Sequence, residues 1–245
     1  MNILIPMAGR GQRFTKVGYD IPKPLIKIGS RSMLEHAINT LDFEGRYIFI
    51  VRDYNVPEYD NEVEAILKYI KPDCIIEKID YVTEGPASSA LIASEYINND
   101  QELVIANCDQ IMWWQGLRFI EHARNNNFDG SVVTYTSDTP KNSYVKINLN
   151  GDVTEVAEKK VISNISLNGI HYWRKGRYFI DSARDMIKAD DRVNNEFYIA
   201  PTYNYMIKDQ KKIGFYHIPN EQHNAVGVPS DLETFINKAK ENGYL

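Results

Sequence analysis

Residues 5–14 read IPMAGRGQRF, in which an apolar strand end runs directly into Gly9, Arg10, Gly11 and Arg13. Glycine lets the backbone approach a ligand closely, and backbone N–H and guanidinium groups are the usual partners of phosphate oxygens. The stretch therefore predicts a phosphate-binding loop at the end of the first strand. Taken alone, it is also consistent with a glycine turn that carries solvated arginines.

A second stretch, IPKPLIKIG at residues 21–29, follows the loop closely. Pro22 and Pro24 restrict the backbone on either side of Lys23 and keep its ammonium group near one place. This order around a single lysine favours a phosphate-binding role over the solvated turn.

The loop does not fit the two common nucleotide-binding motifs. Phe14 stands where G-x-G-x-x-G has its third glycine, and no Lys-Ser or Lys-Thr pair follows as in a P-loop. The sequence therefore indicates a phosphate site of another kind.

The composition excludes some classes of partner. The 245 residues are 43% hydrophobic, which is ordinary for a globular protein and sufficient for one sizeable α/β domain. Lys and Arg number 28 against 33 Asp and Glu, which gives a net charge of −5. We therefore expect neither a nucleic-acid partner nor a membrane partner, and any anion site must be local.

The sequence also predicts the compartment. No apolar run approaches the roughly 20 residues that span a bilayer, and MNILIPMAG is too short for the apolar region of a signal peptide. Cys74 and Cys108 form no C-x-x-C pair, so they predict reduced thiols and neither a disulfide framework nor a zinc site. We expect a soluble cytoplasmic protein.

Strands alternate with helices over the first half of the chain. Nearly continuous apolar runs predict strands buried on both faces of a mostly parallel sheet. They lie at residues 2–6, 47–51, 73–79 and 103–107. Helical spacing predicts helices at about 60–71 and 87–97, and Ser32 with Glu35 forms a capping box ahead of another. This is a repeated βαβ pattern.

The sequence pattern changes at about residue 130, after which consecutive strands are joined by turns. The strand sequences are GSVVTYT, SYVKINLNGDVTEVAEK and ISLNGIHYW, and they predict an antiparallel portion. Helices are expected at about 175–188 and 196–208, a strand at 213–218, and a last helix with Ser230 and Glu233 as its capping box.

The two opening stretches resemble those of the sugar-phosphate nucleotidyltransferases, whose signature is A-G-x-G-x-R followed by P-K-x-L. Here the two motifs are residues 8–13 and 22–25. Later stretches match the family in the same order: EGPASSAL at 84–91, NCDQ at 107–110, VAEK at 156–159, NGIHYW at 168–173 and VGVPSDLETF at 226–235. Each later motif is weak alone, but their order and spacing together are specific.

The resemblance implies an α/β fold with a Rossmann-like mixed, mostly parallel sheet flanked by helices and an antiparallel acceptor-binding portion. It implies one domain over residues 1–245, with a nucleotide-binding part at 1–128 and an acceptor-binding part at 129–245. The implied reaction is attack of the phosphate of a phosphorylated small molecule on the α-phosphate of a nucleoside triphosphate, with release of pyrophosphate.

The resemblance also implies roles for residues. Arg13 would stabilise the leaving pyrophosphate, Lys23 the α-phosphate, and Asp109 would hold Mg²⁺. A displacement between two anions needs such charge neutralisation, and Asp109 follows the strand at 103–107, at the edge where ligands bind in open α/β sheets. The expected nucleotide-binding residues are Ala8, Gly9, Arg10, Gly11, Gly85, Pro86 and Ala87.

In the antiparallel portion the family's pattern makes Glu158 an acceptor of substrate hydroxyls and Lys159 a partner of the acceptor phosphate. Gly169 would allow close approach of the substrate. Glu196 and Tyr198 are further acceptor-pocket candidates, and His223 is the one histidine that we expect near a ligand.

One departure from the family concerns the metal. Many relatives have a second metal-binding aspartate at the position of Ala225. Either Glu196 or Asp231 supplies another carboxylate, or Asp109 and the triphosphate oxygens hold the ion without one.

The base and the acceptor are less constrained. Ala8, where purine-using relatives often carry glycine, adds a methyl group near the expected base pocket and favours a pyrimidine. The turn at residues 84–87 offers a carbonyl or carboxylate to the amino group of cytosine, which slightly favours CTP over UTP or dTTP. A backbone N–H of the same turn would serve the oxygen of uracil or thymine equally well. The resemblance implies a role in surface polysaccharide biosynthesis. From the few residues that follow the last helix we expect no acyltransferase-type domain of the kind that some relatives carry.

Two other functions are consistent with parts of the sequence. A family-A glycosyltransferase also binds a nucleotide on an α/β sheet, but it needs Asp-x-Asp, whereas NCDQI has one carboxylate. A non-catalytic nucleotide-binding module is favoured if Ala225 means that the metal site is incomplete. Release of pyrophosphate in the presence of a phosphorylated acceptor separates the transferase from both.

Overall fold

The computed structural model of the protein describes all 245 residues. Thirteen strands follow one another along the chain: β1 (Asn2–Met7), β2 (Lys27–Ile28), β3 (Arg31–Ser32), β4 (Arg46–Arg52), β5 (Ile75–Ile79), β6 (Leu103–Ala106), β7 (Gln110–Met112), β8 (Gly130–Thr136), β9 (Ser143–Ile147), β10 (Val153–Glu158), β11 (Ile165–Trp173), β12 (Ile213–His217) and β13 (His223–Ala225).

Nine helices lie between these strands: α1 (Gln12–Thr15), α2 (Met33–Asn39), α3 (Pro57–Ile70), α4 (Pro86–Leu91), α5 (Ser94–Ile97), α6 (Gly116–Asn125), α7 (Gly176–Lys188), α8 (Thr202–Lys208) and α9 (Pro229–Glu241). Two 3₁₀ turns occur at Lys23–Leu25 and Asn220–Gln222. None of the helices is long and apolar enough to cross a membrane.

The first half of the chain forms a parallel sheet in the order β6, β1, β4, β5. Alternate residues of β1 enter different apolar clusters, Leu4 on one face and Ile3 with Ile5 on the other. All three side chains are fully buried, as expected for a parallel sheet covered by helices on both faces. The predicted βαβ organisation and the Rossmann-like mixed sheet are confirmed.

The second half adds antiparallel strands to the same sheet through β11. This strand pairs with β8 along one edge, and its other edge pairs first with β9, at Ser166, and then with β6, from Ile170 onward. The register of β11 against β8 shifts between Leu167 and His171. Because β9 and β6 share one edge of β11, the sheet opens between them, and this opening is the position of the site described below.

Two predicted helices are shorter than the sequence suggested. The helix expected over 87–97 divides into α4 and α5, because Ala93 leaves the helical conformation (φ −78°, ψ 12°) where it is packed into the core. The helix expected from residue 196 begins at Thr202. Phe197 is not free to start a helix, since its backbone pairs with the turn that contains Gly85.

One of the two predicted capping boxes forms. The Glu35 N–H donates to Ser32 Oγ at 3.2 Å, and the Ser32 N–H donates to Glu35 Oε2 at 2.6 Å. The capping box predicted for Ser230 is wrong, because the last helix starts earlier, with Val228 as its N-cap and Pro229 as its first residue. Ser230 therefore lies inside the first turn, where its side chain caps nothing.

The predicted free thiols are also present. Cys74 is buried, Cys108 is half-buried, and neither is in a disulfide. Burial raises the pKa of Cys74 above its usual value and that of Cys108 to about 11, so that both thiols stay protonated at neutral pH.

The two serines give a matched test of this capping assignment. We expect Ser32→Ala to lower the free energy of unfolding by about 1 kcal/mol, the usual cost of losing an N-cap. Ser230→Ala should change it by less than about 0.5 kcal/mol, as for a surface substitution. Urea unfolding of both variants measures the difference, and equal losses would show that the assignment of the N-caps is incorrect.

Candidate active site

The phosphate-binding loop predicted at the end of β1 has the backbone shape that its glycines allow. Gly11 is the N-cap of α1 and adopts the left-handed conformation, with φ 63°. A Cβ atom there would lie 3.3 Å from the Cβ of Lys23, so glycine is needed both for the turn and for close packing against the lysine segment. Arg10 and Arg13 are exposed, and neither forms an ion pair within the protein.

Lys23 and Asp109 come together although they are 86 residues apart in the chain. The Lys23 ammonium donates to Asp109 Oδ2 at 2.7 Å, and the two side chains are 16% and 35% exposed. Partial burial acts to raise the pKa of the Asp109 carboxyl, but the charge and the hydrogen bond of Lys23, helped by Arg13, lower that pKa below its usual range. Asp109 is therefore ionised at neutral pH.

The segment after β13 closes over this pair. The Val226 N–H donates to the Asp109 carbonyl at 2.9 Å, and a Cβ on Gly227 would lie 3.0 Å from Asp109 Oδ2. Ala225 pairs with Gln110 between β13 and β7 and lines the same cavity as Asp109. The position expected to carry a second aspartate is thus at the site, and it supplies a methyl group instead of a carboxylate.

No group of three or more His, Cys, Asp and Glu side chains in the chain is arranged to hold a metal ion. Lys23 is the only protein group that donates to the Asp109 carboxylate. This donor set fits Mg²⁺ in its usual mode with nucleotides, in which one or two carboxylates and the phosphate oxygens bind the ion. Asp231 lies close enough to Asp109 for the two charges to interact. Burial is the larger cause that raises the pKa of Asp231, and repulsion by Asp109 acts in the same direction.

The turn that precedes α4 is fixed by backbone contacts to Phe197. The Phe197 N–H donates to the Glu84 carbonyl at 2.8 Å, and the Ala87 N–H donates to the Phe197 carbonyl at 2.9 Å. The Glu84 carboxylate pairs with Arg192 at 2.8 Å. The Glu84 carbonyl and one carboxylate oxygen, Oε1, are therefore already paired, whereas Glu84 Oε2 and the N–H of Gly85 make no hydrogen bond within the protein.

A cavity of about 310 Å³ occupies the opening in the sheet. Of the residues predicted from the sequence, it brings together Pro86, Asp109, Glu158, Gly169, Tyr198 and His223. Residues that the sequence analysis did not select also line it: Tyr135, Lys141, Asn142, Ser143, Asn168 and His171. The cavity is predominantly polar, as a pocket for a phosphorylated small molecule requires.

Other predicted residues lie elsewhere. Ala87 is fully buried in the apolar core, and Ala8 packs against the same core. Glu196 is exposed beside Tyr198 and does not line the cavity. A second cavity lies next to the loop and is lined by Gly9, Arg10, Gly11 and Lys23.

Gly169 accounts for the shape of the first cavity. It has φ 89°, and a Cβ atom would lie 2.1 Å from Asn107 Nδ2. The Asn107 N–H donates to the Gly169 carbonyl at 3.2 Å. Only glycine allows β11 to pass this close to the end of β6. The close approach of a substrate to Gly169, inferred from the sequence, stays a prediction.

Glu158 and Lys159 point to different partners. The Glu158 carboxylate accepts a hydrogen bond from the Ser143 hydroxyl, and burial raises its pKa above the usual value although Ser143 and Lys159 act in the opposite direction. Lys159 has a left-handed backbone (φ 53°), its ammonium donates to the Tyr198 hydroxyl, and it lies 4.2 Å from the centre of the Tyr198 ring. The backbone conformation turns the two adjacent side chains apart.

His171 is the main functional candidate that the sequence analysis missed. It is buried in the cavity wall beside the stacked rings of Trp173 and Tyr203, and its Nδ1 has no partner. Burial lowers its pKa to about 3, so the imidazole is neutral at physiological pH. Its position two residues after Gly169 in a predicted strand, hence on the same face, was the available signal.

His223 is also neutral. Burial lowers its pKa to about 4, although the charge of Asp109 acts in the opposite direction. Its ring packs against Tyr135 at 4.5 Å, and its Nδ1 is buried without a partner. The two histidines therefore offer neutral hydrogen-bonding groups, and not positive charge, to whatever occupies the cavity.

Comparison with known proteins agrees with the family resemblance found in the sequence. A family model described as nucleotidyl transferase matches residues 3–241. The bifunctional protein GlmU of Methanococcus vannielii is 24% identical over 245 residues, which is 95% of this chain and 53% of that protein. The chain thus spans about half the length of the curated relatives it matches.

Solved structures share the fold. The nucleoside-diphosphate-sugar pyrophosphorylase from Vibrio cholerae RC9 superposes with a TM-score of 0.84 at 23% identity, over 96% of this chain and 99% of that one. A putative glucose-1-phosphate thymidylyltransferase from Bacillus anthracis gives a TM-score of 0.76 at 17% identity, over 98% of this chain and 95% of that one.

The contact between the turn and Phe197 can be tested with two glycines that both have positive φ. We expect Gly151→Ala, which meets no atom within 4 Å, to cost about 1 kcal/mol for its left-handed backbone alone. Gly85→Ala places a Cβ 2.5 Å from the Phe197 carbonyl oxygen, and we expect it to cost about 3 kcal/mol. Denaturant unfolding measures both. Equal costs would show that the turn is not held against Phe197.

Proposed function

The chain belongs to the nucleotidyl transferase family, and from that premise we propose that it transfers a nucleoside monophosphate from a pyrimidine nucleoside triphosphate to a phosphorylated small molecule, releasing pyrophosphate. The observation that carries the proposal is the Lys23–Asp109 pair. It joins the glycine loop to a polar cavity that contains Glu158, Gly169 and Tyr198. A triphosphate on the loop and an acceptor in the cavity would meet at this pair.

The reaction is a displacement between two anions, so that its barrier falls when negative charge is neutralised and the reactants are aligned. In this proposal Lys23 contacts the α-phosphate, and Arg13, which has no ion-pair partner in the protein, stabilises the leaving pyrophosphate. Lys23 is already held in place by Asp109 at 2.7 Å. Its ammonium group therefore needs little reorganisation when a phosphate arrives.

Asp109 would hold Mg²⁺ together with the phosphate oxygens, with Asp231 as the nearest further carboxylate. When bound, the ion supplies positive charge to the triphosphate and to the departing pyrophosphate. The alanine at position 225, Ala225, supports a metal site with fewer protein ligands than the metal site of relatives that carry a second aspartate there.

The acceptor would lie in the cavity with its hydroxyl groups toward Glu158 and its phosphate toward Lys159. Ser143 orients the Glu158 carboxylate and Tyr198 holds the Lys159 ammonium, so both groups are positioned before the acceptor binds. The neutral His171 adds a hydrogen-bonding group at the cavity wall. The acceptor class that fits is a small polyhydroxylated phosphate, such as a sugar phosphate, and surface polysaccharide biosynthesis is the role that we propose for the product.

For the base we propose cytosine over uracil or thymine. The Glu84 carbonyl is paired with Phe197 and Glu84 Oε1 with Arg192, which leaves Oε2 as an acceptor for the cytosine amino group. The unpaired N–H of Gly85 would serve N3 or O2 of cytosine and a carbonyl oxygen of uracil or thymine equally well. Ala8, at the strand end, supports a pyrimidine over a purine.

Asp109 is the residue whose change tests the reaction most directly. We expect Asp109→Asn to lower kcat by roughly 10²-fold or more, because an amide lacks the anionic oxygen that Mg²⁺ prefers and about 3 kcal/mol of transition-state stabilisation is lost. Asp100→Asn is the matched control, since Asp100 also pairs with a lysine, Lys175 at 3.3 Å, but on the exposed surface. Turnover of Asp109→Asn at the wild-type rate in saturating Mg²⁺ would contradict the assignment.

The substrates can be identified by a pyrophosphate-release screen that crosses the nucleoside triphosphates with phosphorylated sugars, amino alcohols and amino-acid derivatives. We expect release with CTP and a phosphorylated acceptor, and weaker release with UTP and dTTP. A preference for GTP or ATP would contradict the argument from Ala8. The absence of pyrophosphate with every pair would favour the non-catalytic nucleotide-binding module to which Ala225 also points.

A further inference from the structure

The lining of the first cavity contains a single cationic side chain, Lys141. Neither Lys23 nor Lys159 lines this cavity, and its two histidines are neutral. Lys141 forms no ion pair within the protein. It also lies outside every motif that carried the family resemblance, so the reaction as described leaves its charge unused.

The backbone around Lys141 is held in place, although its side chain is exposed. The residue lies in the turn that joins β8 to β9. Next to it, the Asn142 amide donates to the Tyr135 hydroxyl at 2.8 Å. On the other side of the turn, the hydroxyl of the fully buried Tyr144 donates to the Thr139 carbonyl at 2.7 Å. The turn therefore presents Lys141 to the cavity from a fixed position.

The charge of Lys141 acts at the end of the cavity where the reaction is proposed. Burial raises the pKa of Asp231, in the first turn of α9, and the charge of Lys141 is the strongest influence that opposes this rise. Asp231 is also within range of the charges of Asp109, Arg13 and Lys23. Lys141 therefore lies on the same side of the cavity as the Lys23–Asp109 pair, without forming an ion pair there.

The proposed acceptor needs more positive charge than Lys159 supplies. A phosphate monoester carries a charge of roughly −1.5 to −2 at neutral pH, and one ammonium group balances only one unit of it. Lys159 is held by the hydroxyl of Tyr198, which forms part of the cavity wall. The attack of this anion on a triphosphate requires that its charge be neutralised close to the α-phosphate. Lys141 is the free cation in that region of the cavity.

On the basis of the proposed function, we propose that Lys141 binds the phosphate group of the acceptor together with Lys159, as a further substrate-binding residue. The ammonium of Lys141 draws the attacking phosphate toward the end of the cavity at Lys23 and Asp109. The hydroxyl groups of the acceptor then lie toward Glu158. The cavity thereby distinguishes a phosphorylated acceptor from the same molecule without its phosphate.

Titration of inorganic phosphate into the full chain, labelled with ¹⁵N in its histidine rings, tests this site without Mg²⁺, nucleotide or turnover. His171 and His223 line the same cavity, so their NMR signals report phosphate bound there and not phosphate at the glycine loop. We expect both signals to shift saturably in the wild type. Lys141→Gln should weaken this binding by roughly tenfold or more, the usual effect of losing one charged contact, and Lys141→Arg should retain it.

The matched control is Lys146→Gln, which removes the same charge from an exposed position of β9 outside the cavity. It should bind phosphate as the wild type does. Absence of the shifts in the wild type, or wild-type affinity in Lys141→Gln, would overturn the proposal.

Asp231→Asn shows whether Lys141 acts on the phosphate directly or through Asp231. Because this variant removes a nearby negative charge, we expect it to bind phosphate at least as tightly as the wild type. Weakening as large as that in Lys141→Gln would show that Lys141 acts through Asp231, which would also overturn the proposal.

Turnover gives a second readout with the substrates that the pyrophosphate-release screen identifies. Lys141→Gln should raise KM for the acceptor by roughly tenfold or more and leave KM for the triphosphate unchanged. An unchanged KM for the acceptor contradicts the proposal. If no pair of substrates releases pyrophosphate, the proposed reaction fails, whereas the phosphate titration still decides for or against the site at Lys141.

Discussion

The ion pair between Lys23 and Asp109 is the contact on which the site depends. It ties the 3₁₀ turn at Lys23–Leu25 to the end of β6, and it stands where the two cavities meet, since Lys23 lines one and Asp109 the other. Both groups are partly removed from water, and each balances the charge of the other. This contact adds a charged link to the packing of Phe14 and Ile26 against Ile111 and Val226, which holds the same segments together.

The second constraint is the opening of the sheet at Gly169. Two strands, β9 and β6, use the same edge of β11, and the register shift next to Gly169 lets them diverge. The antiparallel half is thereby joined to the parallel half through β11, whose pairing is interrupted between Ser166 and Ile170, and a polar cavity is left between them. The cavity adjoins the carboxyl end of β6, where Asp109 lies, so the fold itself brings the two predicted substrates to one edge.

The charges of the site are local in a protein whose net charge is −5. Arg10, Arg13 and Lys23 lie within one short region of the sequence, and the first cavity combines a half-buried carboxylate, Glu158, with neutral histidines. Burial keeps those imidazoles uncharged. Positive charge is therefore concentrated where phosphates are expected, and in the proposed reaction the first cavity would bind the hydroxyl groups of the acceptor through hydrogen bonds.

The sequence by itself determined the features that depend on neighbouring residues. Apolar runs identified the buried strands, the glycines and prolines identified the loop around Lys23, and the pattern at Ser32 identified a capping box, because strand burial, backbone freedom and capping are local properties. Tertiary structure decided the rest. The backbone contact between the Gly85 turn and Phe197 set the start of α8 and paired the carbonyl of Glu84. Pro229, as the first residue of α9, moved the N-cap of that helix away from Ser230. The packing of β11 placed His171 in the cavity wall. Each of these results from contacts between segments far apart in the chain, whose free energy outweighs local preference and which no local pattern encodes.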